Sequence, residues 1–503
     1  MIRPAFLFTD GAVLQREKNV PVFGECDGAT VTVAYCGYTA TATVENGKFE
    51  AVLPPMPAGL AGDLVIKTEG EEITFSDVLT GDVYLAGGQS NMEHPFFCTL
   101  HGEDSLEKDG GIRLFTVPRR PYEGAEVWGW HFYPVRSLDT PWQTYDAESV
   151  ECFSAVAAFF AKKLRAHTNV PFGLISCNWG ATTAEAWIAR ETLLKKPLAR
   201  FAVDAYDARF GNIDMAEYEK QYAAFQQDLV EYMNTHPTPM EDTRERGAAY
   251  SLRHQFGKSI PMGPYHYHTP GVFRHTMLDR VIPYAVCGVL WYQGESNSGI
   301  PMPHDTRAWF AEVMDTLVED LRASFRDPAL PFYIAQISAY PSGGGAEKTT
   351  WHPIREVHEH LALQDENIFT VPTVDIGERD NIHPADKKTV GERLALAALA
   401  NRYDVDIPWQ CPRLLSVERV GDCLRLSFEN GEGLYVKGER PLGFFATVGE
   451  TRFAVSAKIK GDAVIIPCPV GIDAIGYCDQ NYSPANLYNK HGLPLFPFRR
   501  EVK

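Results

Sequence analysis

The chain has 503 residues, 45% of them hydrophobic and 22% charged, with a formal net charge of −18. That composition is ordinary for a globular protein. With no Lys/Arg run longer than two, neither nucleic acid nor an anionic membrane surface is expected as a partner. No apolar stretch reaches the about 18 residues of a membrane-spanning helix. The N-terminus, MIRPAFLFTDGAVLQREK, lacks the basic segment, long apolar run and small-residue cleavage site of a leader, so a cytoplasmic location is expected. The ten cysteines include no CxxC pair, which argues against a zinc ribbon. Most lie in apolar runs such as YAVCGVLWY around Cys287 and read as buried, reduced thiols.

At about 150 residues per domain the length suggests about three domains. Residues 1–80 read as a small β-sandwich: VTVAYCGYTATATVENGKFEAVLP alternates apolar and polar residues around an Asn46-Gly47 turn, and DLVIKTEGEEITFSDV repeats the pattern around Glu69-Gly70. From Gly81 the rhythm changes. Apolar runs at 83–86, 170–175, 285–292, 331–337 and 368–375 fit strands buried on both faces of a parallel sheet. Between them, ECFSAVAAFFAKKLRAHT places Phe153, Val156, Ala157, Phe160 and Leu164 at helical spacing. The alternation predicts an α/β domain over 81–404, with a polar, helix-prone insertion at about 195–260 read as a covering segment. Residues 405–503 return to short strands, with Asn430-Gly431 and Gly461-Asp462 as turn signals, and form a second β-rich domain.

Chemistry-bearing residues follow the predicted strands, where open α/β sheets bind their ligands. Ser90 follows the first, in GGQSNM. Gly180 follows the second, in SCNWGATTAEAW. Gln293 and Glu295 follow the third, in WYQGESN, and Asp380 and His383 follow the last, in DNIHP. A serine needs a base to take its proton, and a histidine suits that task. The histidine needs an acid on its other nitrogen, which Asp380 or Glu295 can supply. A tetrahedral oxyanion needs donors, for which the backbone N–H groups of Ser90 and Gly180 and the Gln293 amide are candidates. Pro384 suits the first position of the helix after His383.

Taken singly, each has a plain structural reading. Ser90 suits a turn, Gly87 and Gly88 suit positive φ, His383 suits a helix entry and Asp380 a solvated loop. The tripeptide GES at 294–296 fails as a nucleophile elbow, because Ser298 stands where the last glycine belongs. In GPYHYHTPG, His266 and His268 alternate with tyrosines; with no third ligand nearby, a sugar-contacting or packed loop is expected in place of a metal site. Trp179, Trp187 and Trp291 could stack on a sugar or fill the core.

Together, GGQSNM, WYQGESN and DNIHP resemble the sialate O-acetylesterase family of SGNH-type serine esterases. FTDGAVLQREKNVPVFG and NLYNKHGLPLFPFR resemble the family's two ends, so the likeness covers most of the chain. The resemblance implies a flavodoxin-like, three-layer α/β/α catalytic domain between β modules. It implies Ser90 as nucleophile, His383 as base, Asp380 as the acid and Gln293 as an oxyanion donor. The family commonly has two glycines before a threonine where this chain has Gly180, Ala181 and Thr182, so the backbone donor is Gly180 or Ala181. Gln89, Asn91, Glu295, Trp179, His266 and His268 are expected around the substrate. The implied substrate is an acetylated sugar, from sialic acid or a plant oligosaccharide, with no metal and no cofactor. A lipase- or thioesterase-like esterase and an inactive glycan-binding protein are the alternatives.

Overall fold

An 18-residue strand, β1 (Glu71–Gly88), organises the first half of the molecule. In this computed structural model, residues 1–125, 127–128, 134–135, 141–235, 258–299, 305–341, 351–468 and 471–502 are described. They form a mixed α/β protein with several sheets. The chain divides into two compact units, Met1–Trp291 with Glu312–Phe332, and Tyr292–Ala311 with Tyr333–Lys503.

In the first unit, β1 begins as a sandwich strand, antiparallel to Ala61–Thr68. The Asn46-Gly47 turn forms as the sequence predicts, with φ of +52° and +77°, the left-handed pair that a two-residue hairpin needs. The expected boundary at 80–81 falls inside β1, which continues without a break into the central sheet. Its second half pairs in parallel with β4 below, from Asp82 opposite Phe172 to Gly88 opposite Asn178.

That sheet contains β2 (Asp109–Thr116), β3 (Gln143–Tyr145), β4 (Phe172–Asn178) and β5 (Gly288–Tyr292), in the order β3-β2-β4-β1-β5. Every residue of β4 and β5 is buried, as expected of parallel strands covered on both faces. Strands β2 and β3 were not anticipated, because DGGIRLFT opens on two glycines that weaken the strand signal. Helix α1 (Ser90–Glu93) is a single turn, and α2 (Ala155–Arg165) packs its apolar face inward. Ser154 caps α2 by accepting from the Ala157 N–H at 3.3 Å. The expected helical insertion contains Phe201–Phe210 and α3 (Met215–Thr235); its residues 236–257 lie outside the described set.

In the second unit, β6 (Phe332–Ala335) lies beside β7 (Ile368–Val371), with α4 (Trp351–Gln364) between them in the chain and α5 (Lys387–Arg402) after them. Helix α5 does not start at Pro384 as predicted. It starts at Lys387, because Asp386 is the cap: its Oδ1 accepts from the Thr389 N–H at 2.9 Å and its Oδ2 from the Thr389 hydroxyl at 2.7 Å.

The C-terminal part forms two four-stranded sheets around a core that includes Leu424, Leu426, Phe444, Ile466, Ile475 and Tyr477. Gly461, at φ +61°, turns Lys458–Lys460 back onto Ala463–Pro467 as a hairpin. Asn430-Gly431 does not. Strand Cys423–Glu429 pairs with Arg413–Val420 and Ala463–Pro467, while Tyr435–Val436 pairs with Leu487–Tyr488. Sheet pairing distant in sequence overrides the local turn signal there.

Candidate active site

The first unit builds the Ser90 side from two strand ends. Strand β1 ends at Gly88, Gln89 is extended, and Ser90 opens the α1 turn with 5% of its surface exposed. The Met92 and Glu93 N–H groups both donate to the Gln89 carbonyl at 2.9 Å, which closes the turn. Gly87 is required by its neighbour: a Cβ there would lie 2.7 Å from the Trp291 ring. Gly88 has φ +133°, which L side chains rarely adopt. From α2, the Ser154 hydroxyl donates to the Met92 carbonyl at 2.6 Å. Gln89 and Asn91, expected around the substrate, are buried at 3% and 1% exposure.

A buried ion pair joins this turn to the end of β4. Glu93 Oε1 is 3.2 Å from Arg119 Nη1, and Glu93 Oε2 accepts the Gly180 N–H at 2.5 Å. Arg119 also donates to the Asn178 carbonyl and side chain, at 3.0 and 3.2 Å. The Trp179 N–H donates to the Gly88 carbonyl at 3.1 Å. The Gly180 N–H, expected to face an oxyanion, is thus given to a carboxylate. Ala181 follows at φ +62°, a left-handed conformation that costs a non-glycine residue about 1 kcal/mol. A glycine would hold that backbone without the cost.

The His266–His268 loop closes over the same block. His268 Nε2 lies 2.8 Å from the Ala181 carbonyl and so carries the proton. Burial holds the His268 pKa below its ordinary value. The His268 N–H donates to His266 Nδ1 at 3.0 Å, and the His266 ring stacks on Tyr267 at 4.1 Å. Trp179 departs from its expected place as a sugar platform. It is 2% exposed, and its ring is stacked on Phe273 at 4.6 Å. Trp187 and Trp291 are likewise core, crossing edge-to-face at 6.3 Å.

The second unit brings the Gln293 and His383 segments together. Gln293 is fully buried, and its Nε2 donates to Asn297 Oδ1 at 2.6 Å. Gly294, at φ +148°, lets the backbone pass where a Cβ would come within 2.7 Å of Ile354. Glu295 is 6% exposed. The His383 loop is tied by Asn381, whose Oδ1 accepts the His383 N–H at 2.9 Å and whose Nδ2 donates to the His383 carbonyl at 2.8 Å. Glu378 accepts from Asn381 Nδ2 at 3.2 Å and from the Ala385 N–H at 2.8 Å.

Asp380 does not pair with His383. It is exposed, and its side chain has no hydrogen bond or ion pair among the described residues.

Lys387 links the two segments. Its Nζ donates to the Pro384 carbonyl at 2.6 Å, and the side chain is fully buried. Burial pushes its pKa down to about 7 against the opposing pull of Glu295, Glu378 and Asp386. Glu93, Arg119, Asn297 and Lys387 were not anticipated as site residues. Glu93 was findable, since it stands three positions after Ser90 on the same helical turn.

Residues 272–400 match the family described as carbohydrate esterase, sialic acid-specific acetylesterase. The chain is 26% identical over 444 residues to the mouse sialate O-acetylesterase, covering 81% of this chain and 74% of that protein. It is 24% identical to the human sialate O-acetylesterase, covering 80% and 71%. Among solved structures, a carbohydrate acetylesterase from Xanthomonas citri aligns over 100% of both chains at a TM-score of 0.75 and 26% identity. The matched segment contains Gln293, Glu295 and His383, and the longer alignments span most of the chain, so this protein is an ester hydrolase similar over most of its length to the sialate O-acetylesterases.

Proposed function

We propose that the chain removes acetyl groups from sugars by serine catalysis in a catalytic domain of SGNH type. The observation that carries this reading is the delivery of Ser90, straight off β1, to the first position of a helical turn whose neighbouring backbone is fixed by Glu93 and Arg119. A nucleophile in such a place has a preset direction and an N–H beside it.

In this reading Ser90 Oγ attacks the acetyl carbonyl carbon while His383 takes its proton. The oxyanion is held by the Ser90 N–H, the Ala181 N–H and the Gln293 amide. Ala181 takes the place first given to Gly180 because the Gly180 N–H already serves Glu93. The tetrahedral intermediate collapses, the C–O bond to the sugar breaks, and His383 returns the proton to the leaving sugar oxygen. Water, deprotonated by His383, then attacks the acetyl-serine, and acetate leaves as Ser90 regains its proton.

The test is turnover of 4-nitrophenyl acetate with fluorophosphonate labelling. Ser90→Ala and His383→Ala are each expected to lower kcat by ~10⁴-fold or more, because members of such a set act as a unit. Fluorophosphonate is expected to label the parent at Ser90 and to leave Ser90→Ala unlabelled. Near-parental turnover by purified Ser90→Ala would remove the proposal.

A further inference from the structure

The second unit carries a groove of about 370 Å³ that shares no residue with the candidate active site. Its lining includes Asp406, Trp409, Gln410, Asn430, Glu432 and His491. The groove is built rather than incidental. After α5 the chain folds back, with the Val405 N–H donating to the Leu399 carbonyl at 3.0 Å, and this presents the 406–410 loop. The Trp409 ring is half-buried and braced edge-on by Phe369 at 5.7 Å and 80°. One buried side chain holds the opposite rim. Asn489 Oδ1 accepts from the His491 and Leu493 N–H groups, each at 3.1 Å, and Nδ2 donates to the Asn430 carbonyl at 3.1 Å. Glu432 is oriented along that rim by Lys490 at 2.6 Å.

The chemistry selects the ligand. An indole offers a flat apolar face, and carboxylates, amides and an imidazole around it offer acceptors and donors at short range. A pyranose or furanose ring has the matching surfaces: a C–H face for the indole and hydroxyl groups for the rim. Among the described residues lining the groove there is no lysine or arginine; Lys490 beside it compensates Glu432, and Asp406 leaves a negative charge that an anionic sugar or a phosphate would meet. The mixed polar lining equally disfavours an acyl chain.

We propose that this groove is a non-catalytic binding site for a neutral sugar unit of an oligosaccharide, stacked on Trp409 and hydrogen-bonded by Asp406, Gln410 and Glu432. Such a site would hold a glycan chain on the protein independently of where its acetyl groups lie. It stands on the groove alone, whatever the roles of Ser90 and His383.

The experiment is titration calorimetry of the full chain with unacetylated xylotetraose and mannotetraose, and with 3′-sialyllactose as the anionic comparator. At least one neutral tetrasaccharide is expected to bind, with sialyllactose weaker by ~10-fold or more. Trp409→Ala is expected to weaken binding by ~10-fold, and Glu432→Gln by about 3-fold, equivalent to one modest hydrogen bond. Turnover of 4-nitrophenyl acetate is expected to stay at the parental rate in both. Should Trp409→Ala fail to fold, Glu432→Gln and Gln410→Ala decide the matter from the solvent side. No binding of either neutral probe overturns the proposal, as does a preference for sialyllactose. So does parental affinity in the folded variants, which would place the sugar elsewhere.

Discussion

Asp380 and Glu295 differ in the property an orienting carboxylate most needs, which is shelter from water. A solvated carboxylate acts on an imidazolium through high dielectric, whereas a sheltered one acts at several times the strength. Asp380 is exposed and unengaged, while Glu295 is 6% exposed and acts on Lys387, whose Nζ is bonded to the carbonyl just after His383. Glu295→Gln is therefore expected to lower kcat on 4-nitrophenyl acetate by ~10²–10⁴-fold, and Asp380→Asn by no more than about 3-fold. Loss of the acid also removes an anion that favours the charged imidazole. The acidic limb of kcat/KM should therefore move to lower pH in Glu295→Gln and stay put in Asp380→Asn. A larger defect in Asp380→Asn would return the role to the DNIH motif. At this scale the sequence was informative about residue types and weak on their partners. Ser90, Gln293 and His383 stood out as candidates because each follows a predicted strand. The engagement of the Gly180 N–H was not, because it depends on Glu93, a carboxylate 87 positions away.

Helix α4 carries a cost that falls on the acid side of neutrality. His358 is fully buried, and burial pushes its pKa down to about 3; His352 on the same helix is also held near 3, by burial and then by Arg355, Arg307, Arg452 and Arg499. A histidine freed by unfolding titrates near ~6.5. Between these values the unfolded chain binds the proton and the folded chain does not, so stability falls as pH drops from about 6.5 towards 3. For His358 alone the loss by pH 5 is about 2 kcal/mol. Phe310 meets the His358 ring edge-on at 5.6 Å, so His358→Phe keeps a ring in the same place. The urea midpoint of that variant is expected to fall less than the parent's between pH 7 and pH 5. Equal falls would show that the ring is not the source of acid sensitivity. Elements as a class were well legible. The runs at 170–175, 285–292 and 368–375 all mark strands, because burial on both faces leaves a continuous apolar signature. Where the signal was local and the decision was not, the reading failed: Asn430-Gly431 has hairpin chemistry, yet its flanking strands pair elsewhere.

For the molecule as a whole, the informative feature is the continuity of β1. The change of rhythm at 80–81 suggests a domain boundary, but the backbone there is one continuous strand, and the sequence pattern cannot distinguish the two. The consequence is mechanical coupling within the first unit. Val13–Gln15 pairs with Leu79–Gly81, and the Tyr284 hydroxyl donates to the Val13 carbonyl at 2.6 Å. At the crossing point Asp82 is fully buried, accepting from Gln15 Nε2 at 2.8 Å and Arg16 Nε at 3.0 Å, while Gln15 Oε1 takes the Val83 N–H at 2.8 Å. Removing the arginine takes a charged partner away from a buried carboxylate, at a cost of about 3 kcal/mol. Ser90 lies eight positions further along the same segment, so this cost should reach the Ser90 turn. Arg16→Met is expected to lower the urea midpoint measured by tryptophan fluorescence, and the midpoint measured by residual 4-nitrophenyl acetate turnover should fall with it by the same amount. If the N-terminal strands were an independent module, fluorescence would register an early partial transition while turnover persisted to the parental midpoint. Coincident, lowered transitions would instead mean that residues 13–16 are part of the support for Ser90, and that a fragment cut at residue 80 would lose the Gln15 and Arg16 bonds to Asp82 and Val83.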